Sequence, residues 1–332
     1  MLKERQLIER IRKLAASSSV GAVAQGIGDD CAILQPPPGS RLLVTTDLCI
    51  ENVHFRRKWH PAPSVGHRCL TRGLSDIAAM GGAPVACFLS LGLPPKLPQT
   101  WVDRFLQGFH NLARRFHIQL AGGDISTATE IVADIVVIGH VRDGGAVLRS
   151  GARPGDRIYV TGSLGSSAAV LRQLVSGKRI KPTRSSAHFY PQPRIQVGRW
   201  LLRHGLATAM IDLSDGLSVD MAHICEESRV SAFINSGKIP IARGATLDLA
   251  LHGGEDYELL FTARKRAKIP ARIAGLPVTE LGTIASSRNY SSAIQILSEN
   301  GTIRPLPHGG WQHFTERHSS QRYRETRAGK SR

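Results

Sequence analysis

Six aspartates stand within two residues of glycine, serine or threonine where apolar runs end or begin: Asp30, Asp47, Asp76, Asp124, Asp212 and Asp215. The densest case is Thr45-Thr46-Asp47, which follows Leu42-Leu43-Val44. We read this stretch as a buried strand that ends on two hydroxyls and a carboxylate. Oxygen-bearing side chains gathered in this way suit a hard cation such as Mg²⁺, which takes oxygen ligands. The same residues would also suit a polar turn closing a hairpin. Recurrence along the chain favours the cation. Carboxylates gathered in one site repel each other and stay ionised only beside a compensating charge. Two or more Mg²⁺ ions bridging them to phosphate oxygens would supply it. Glycoside hydrolysis needs two carboxylates rather than six, and aromatics to stack a sugar are scarce, at 5%.

The elements that must position these acids follow from periodicity. Residues 4–16 read as a helix with Leu7, Ile11 and Leu14 on one face. Gly26-Ile27-Gly28-Asp29-Asp30 precedes a short apolar strand and lacks the third glycine of a dinucleotide fingerprint. A second helix is expected from Ser64, as its cap, to Met80, with Val65, Cys69 or Leu70, Leu74 and Ile77 inward and Gly81-Gly82 as its stop. Asp76 near its C-terminal end opposes the helix dipole at a cost of ~0.3–1 kcal/mol, which a cation partner would explain. Residues 85–91 read as a strand, 99–116 as an amphipathic helix, 118–124 as a strand running into Gly122-Gly123-Asp124, and 131–141 as a central strand.

After a junction at 149–156 comes a strand at 158–160, then Gly162-Ser163-Leu164-Gly165-Ser166-Ser167 opening a helix at Ala168. That turn resembles a phosphate cradle but lacks the P-loop lysine, so a strand-to-helix turn with serine caps is the expectation. Residues 176–194 form a basic loop and 194–206 a helix. A strand then ends on Asp212, with Ser214-Asp215-Gly216 beyond it. Asp215 suits an N-cap; Asp212, still on the strand, does not. Gly253-Gly254-Glu255-Asp256 leads into another strand, short strands follow near 278–284 and 293–297, and Asn300-Gly301 is a hairpin signal.

The 332 residues suffice for about two domains. Five cysteines with no CxxC pair argue against a zinc site or a disulfide framework and point to a reducing cytoplasm. Charged residues interrupt the N-terminus, so it does not read as a signal peptide. No run reaches the ~18 apolar residues of a membrane span. The net charge of +17 permits attraction to nucleic acid or to polyanionic small molecules. Residues 315–332 read as a basic, disordered tail. With no zinc finger and no RNP-like aromatic motif, the sequence argues against a nucleic-acid-binding module.

Seven motifs, in order, resemble thiamine-monophosphate kinase: Gly-Ile-Gly-Asp-Asp30, Thr-Thr-Asp47 with Val-His54-Phe, Leu-Ser-Asp76-Ile-Ala-Ala-Met-Gly, Gly-Gly-Asp124, Arg149-Ser-Gly-Ala-Arg-Pro-Gly-Asp, Ile-Asp212-Leu-Ser-Asp215-Gly-Leu and Gly-Gly-Glu255-Asp-Tyr-Glu-Leu-Leu. The resemblance implies an α/β (α+β) fold of two domains, 1–148 and 149–314, shared with aminoimidazole ribonucleotide synthetase and selenophosphate synthetase. The N-terminal mixed sheet would pair with a second copy into a dimer barrel, and the C-terminal domain would be an α/β sandwich. The reaction implied is phosphorylation of thiamine monophosphate by ATP. The implied magnesium ligands are Asp30, Thr45, Thr46, Asp47, Asp76, Asp124, Asp212 and Asp215, with Asp47, Asp124 and Asp212 central to catalysis. Gly122, Gly123, Arg149 and Ser214 resemble nucleotide contacts. His54, Glu255 and Trp311 resemble substrate contacts. A tyrosine that the family tends to place near the nucleotide is Leu106 here. Selenophosphate synthetases typically carry a reactive cysteine or selenocysteine near the N-terminus, and this chain has no cysteine before residue 26.

Overall fold

A computed structural model describes residues 2–16, 21–142, 145–287 and 293–310. Trp311 and the tail at 315–332 lie outside the described residues. The first half holds α1 (Glu4–Ala16), a small hairpin of β1 (Val23–Gln25) and β2 (Ile33–Leu34), then β3 (Ser40–Ile50), α2 (Ala62–Ala79), β4 (Ala83–Leu93), α3 (Gln99–Arg115), β5 (Gln119–Gly122), β6 (Ile125–Thr127) and β7 (Val132–Arg142). The sheet order is β3-β7-β4-β5, with β6 also on β4. β7 is therefore central, as its long apolar run implies, and pairs antiparallel with β3 and β4, while β5 and β6 run parallel to β4.

The second half continues with β8 (Arg157–Thr161), α4 (Ser166–Val175), α5 (Ile195–Arg203), β9 (Ala207–Asp212), α6 (Leu217–Ser228), β10 (Val230–Asn235), α7 (Leu247–His252), β11 (Leu259–Ala263), β12 (Arg272–Ile273), β13 (Leu276–Ser286), β14 (Ile294–Leu297) and β15 (Ile303–Pro305). Its sheet, in the order β15-β14-β10-β13-β8-β11-β9, is antiparallel except where β10 meets β14. The Asn300-Gly301 turn joins β14 to β15, with Gly301 at φ 82°.

The α2 helix is the spine of the molecule. It ends as its Gly-Gly predicts: Gly81 adopts φ 73°, and the N–H groups of Gly81 and Gly82 donate to the carbonyls of Ala78 and Ile77, a Schellman closure. Close packing on two flanks requires glycine. A Cβ at Gly108 of α3 would lie 1.9 Å from the Pro63 carbonyl oxygen, and one at Gly198 of α5 would lie 2.0 Å from that of Ala78. One apolar core runs from α1, α2 and α3 through α5 to the faces of β9 and β11 (Met210, Leu259, Phe261), so the two halves share buried surface. A second core fills the C-terminal half around Val160, Leu164, Ile211, Met221 and Ile296.

Several expectations are corrected. Thr45-Thr46-Asp47 lies in the middle of β3, because that strand continues to Ile50. Leu42 and Val44 are not buried; they are 47% and 65% exposed, on the outward face of an edge strand. Ser64 is not the cap of α2. Pro61 is, and Ser64 lies within the first turn, donating to the Pro61 carbonyl. α4 starts at Ser166 rather than Ala168 and has no serine cap; Gly165 in the left-handed region precedes it. α5 stops at Arg203. Residues 176–194 are irregular as expected, but His188 and Phe189 within them are buried against the first half.

Candidate active site

Strand alternation sends neighbouring side chains to opposite faces. On β3 it turns Thr45 and Asp47 inward to α2, while Thr46 faces away and donates to Asp134 Oδ1 at 3.0 Å. Thr45 Oγ1 donates to Asp76 Oδ2. From the second half, Asp212, at the end of β9 and 4% exposed, accepts from Ser75 Oγ at 2.6 Å. Thus Thr45, Asp47, Asp76 and Asp212, far apart in sequence, converge where α2 crosses between the two halves. Arg149 lies on the same side and opposes the charge of Asp76 and Asp212.

The crowding is visible in proton affinity. Burial, and after it the charge of Asp212, pushes Asp76 up to about 7 against the pull of the Thr45 hydroxyl. Burial likewise raises Asp212, opposed by Ser75 and Arg149. Asp215 is not the cap of α6; Gly216 holds that place at φ 114°. Asp220, from the first turn of that helix, reaches back to accept from the N–H groups of Asp215 and Gly216 at 3.1 and 3.0 Å. Burial, then Asp212 and Asp215, pushes Asp220 well above the carboxylate range.

The segment Gly253–Glu258 is laced onto this cluster. Glu255 N–H donates to the Ser214 carbonyl, Tyr257 N–H to that of Leu213, and Leu213 N–H to that of Glu258. Glu255 and Tyr257 both hold positive φ, 64° and 51°, a strained placement for residues with a Cβ. Glu255 meets Arg68 Nη2 at 2.5 Å and lies 3.7 Å from Arg72 Nη1. Burial favours its neutral form, but Arg68, and after it His188 and Arg72, outweigh it and hold the carboxyl down at about 2.

Arg68, 2% exposed, also donates to the backbone carbonyls of His54 and His188. His54 Nδ1 accepts from Ile50 N–H at 3.0 Å, which leaves the proton of a neutral ring on Nε2. His188 and His60 share a 3.1 Å contact between their Nε2 atoms, and Ser167 Oγ lies 3.0 Å from His188 Nδ1. Burial pushes both rings down, to about 3 and about 4, so they are neutral links that seat the 176–194 loop.

Asp30 and Asp124 stand apart. Both are exposed on loops, and among the described residues no hydrogen bond or ion pair ties either to Asp47, Asp76 or Asp212. Gly123 is explained by packing: at φ 148°, its Cβ would lie 1.9 Å from the Leu89 carbonyl oxygen. Leu106 is core, 3% exposed. The Gly162–Ser167 turn is filled from within, because the Asp256 carboxylate accepts from Gly165 N–H at 2.7 Å and Ser167 N–H at 3.4 Å.

Arg68, Arg72, Ser75, Tyr257 and Asp220 did not emerge from the sequence. The signal for three of them was present. Arg68, Arg72 and Ser75, with Asp76, recur at helical spacing and form the polar stripe opposite the apolar one on α2.

Among the described residues no three His, Cys, Asp or Glu side chains are placed to hold a metal by themselves. Mg²⁺ is usually held by one or two carboxylates and completed by water and substrate phosphates. Thr45, Asp47, Asp76 and Asp212 are all-oxygen donors, joined by the Thr45–Asp76 and Ser75–Asp212 hydrogen bonds. That donor set fits a hard divalent cation bound together with a phosphate.

Comparison with known proteins agrees with this two-domain fold. The model of the AIR synthase related protein N-terminal domain matches residues 28–141, and that of the C-terminal domain matches 153–294. Thiamine-monophosphate kinase of Bacillus subtilis (strain 168) is 35% identical over 312 residues, 88% of this chain and 94% of that protein. The enzyme of the same name from Escherichia coli (strain K12) is 36% identical over 309 residues, covering 88% and 92%. The crystal structure of thiamine-monophosphate kinase from Stenotrophomonas maltophilia K279a superposes with TM-score 0.76 at 34% identity, covering 89% of this chain and 96% of that one. AaThiL complexed with AMPPCP and TMP gives TM-score 0.74 at 30% identity, covering 95% and 99%. The hydrogenase maturation protein HypE in complex with ATP, at 16% identity and TM-score 0.74, shares the fold alone. With relatives matched over nearly their whole length, this chain belongs to the thiamine-monophosphate kinase family, built on the two-domain AIR synthase-related fold.

Proposed function

We propose that this protein transfers the γ-phosphoryl group of ATP to the phosphate of thiamine monophosphate, giving thiamine diphosphate and ADP. The observation that carries the reading is the relative solved with AMPPCP and TMP together, aligned over 95% of this chain. The geometry supports it. A cluster of Thr45, Asp47, Asp76 and Asp212 with Arg149 lies beside a second group, Glu255, Arg68 and His54, and α2 joins the two. We assign the first group to the nucleotide and its divalent cations, together with Gly122, Gly123 and Ser214. We assign His54, Glu255 and Trp311 to the thiamine side. Asp30, Asp124 and Asp215 complete the proposed metal set with ions that arrive on the nucleotide; Thr46, expected among the ligands, is turned to the other face of β3 by strand alternation and drops out of it.

The nucleophile is a phosphate oxygen. A phosphate monoester has its second pKa near ~6, so this oxygen is already ionised at neutral pH and needs no strong base. It forms a bond to the γ-phosphorus as the bond to the β–γ bridging oxygen breaks, and ADP leaves. The barrier is electrostatic, since two polyanions must touch. Mg²⁺, when bound, would neutralise phosphate charge. Asp47, Asp76 and Asp212 would hold it, Arg149 would stand against the donor phosphates, and the α2 stripe would keep donor and acceptor in line.

We further propose a boundary between working domains at 148/149 and a cytoplasmic location; no helix of the described residues is long and apolar enough to cross a membrane. A homodimer is proposed from the outward face of β3, an edge strand that exposes Leu42, Val44 and Leu48. The assay that tests the function couples ADP release to acceptor choice. Thiamine monophosphate should support magnesium-dependent turnover, while thiamine and aminoimidazole ribonucleotide precursors should not. ADP release that ignores thiamine monophosphate would overturn the assignment.

A further inference from the structure

Arg72 has so far been given no contact with either substrate. It sits on α2 one turn after Arg68 and one turn before Asp76. Its Nε donates to Asp47 Oδ1 at 2.8 Å. Its Nη1 lies 3.3 Å from the Tyr257 hydroxyl and 3.7 Å from Glu255 Oε1. One guanidinium therefore spans from the acid cluster assigned to the nucleotide to the carboxylate assigned to thiamine.

The two neighbouring arginines differ in what they have left to give. The Arg68 side chain is 2% exposed and already holds Glu255, the His54 carbonyl and the His188 carbonyl. The Arg72 side chain is 16% exposed and its carboxylate partners 25% and 24%, so this junction is the part that an incoming molecule can reach. Arg149, a third cation, acts at the Asp76–Asp212 end. Of the two arginines beside Glu255, Arg72 is thus the one an acceptor can reach.

We propose that Arg72 binds the phosphate of thiamine monophosphate and is the residue by which this enzyme distinguishes the phosphorylated acceptor from thiamine itself. The proposal rests on the function proposed above. A guanidinium carries five N–H donors in a planar fork that matches two phosphate oxygens. Asp47 holds only the Nε side of that fork in the structure. Were Asp47 to hold a divalent cation, that donor would be freed for a phosphate oxygen, and the positive charge would stay where the acceptor dianion must rest. Arg72 gives and takes no proton; it holds non-bridging oxygens while a third attacks.

The test is calorimetric binding of thiamine monophosphate and of thiamine, each with magnesium and a non-hydrolysable ATP analogue present, to wild type, Arg72→Gln and Arg72→Lys. Wild type should prefer thiamine monophosphate. Arg72→Gln should shrink that preference about tenfold, the scale of one charge-assisted contact, with thiamine affinity changed less than about twofold. Arg72→Lys keeps the charge beside Asp47 but not the fork; it should lose about threefold of the preference and guards against a Gln variant that fails to fold. Full wild-type preference in either variant overturns the role of Arg72 and leaves the kinase reading standing. Absence of any preference in the wild type overturns both.

Discussion

Replacing Arg68 by methionine keeps the length of the side chain and removes its guanidinium. The structure sets the size of the effect. Glu255 is held at about 2 against an ordinary 4.5, a difference of ~2.5 units, or roughly 3 kcal/mol at about 1.4 kcal/mol per unit. Arg72 at 3.7 Å would retain part of that, and the Glu255 side chain keeps 24% of its exposure, so screening trims the charge contribution to ~2 kcal/mol. Two backbone carbonyls, of His54 and His188, would also lose their donor, at ~1 kcal/mol each. We expect a loss of about 3–5 kcal/mol at pH 7, the range found when one partner of a buried pair is removed.

The pH dependence separates the two parts. A carboxyl whose folded value is depressed contributes stability that is present above the unfolded value of 4.5 and lost as pH falls through about 2. The deficit of Arg68→Met should therefore narrow by ~1.5 kcal/mol between pH 7 and pH 2.5, the rest of the charge share going only as pH falls through about 2. The assay is urea unfolding followed by tryptophan fluorescence at several pH values. Adding Glu255→Gln to Arg68→Met should recover at least half of the loss, because no charge is then left buried without its partner. A variant within ~1 kcal/mol of wild type at pH 7, or a deficit that does not change with pH, would refute the reasoning.

The other expectations concern packing and assembly. Gly123→Ala adds a Cβ 1.9 Å from the Leu89 carbonyl oxygen at φ 148°, so it should lower the melting temperature by more than about 5 °C in thermal unfolding, whatever its effect on nucleotide binding. Val44→Lys places a charge on the exposed apolar face of β3, where Val44 is 65% exposed. It should leave the fold intact and convert a dimer to a monomer in sedimentation at micromolar concentration; a wild-type monomer there, or a variant that still dimerises, would remove the barrel.

What the sequence settled by itself was local. Periodicity placed α1, α2, α3, β4 and β7 within a few residues, because each buries one continuous face and Gly81-Gly82 can close a helix only where the left-handed conformation is allowed. The acid-bearing turns were legible too, since carboxylates next to glycine and serine stand out against apolar runs. Tertiary structure decided which of them meet. Thr46 and Asp47 are adjacent in the chain yet face opposite sides of β3, and Asp212 reaches Ser75 only because α2 crosses between two sheets. It also decided that Leu42 and Val44, apolar enough to read as core, stay outside on an edge strand. The polar stripe that holds Arg68 and Arg72 was legible, but not their burial: an arginine on a helix reads as solvent-facing until another part of the chain, here the Gly253–Glu258 segment, supplies the carboxylate that makes burying it affordable.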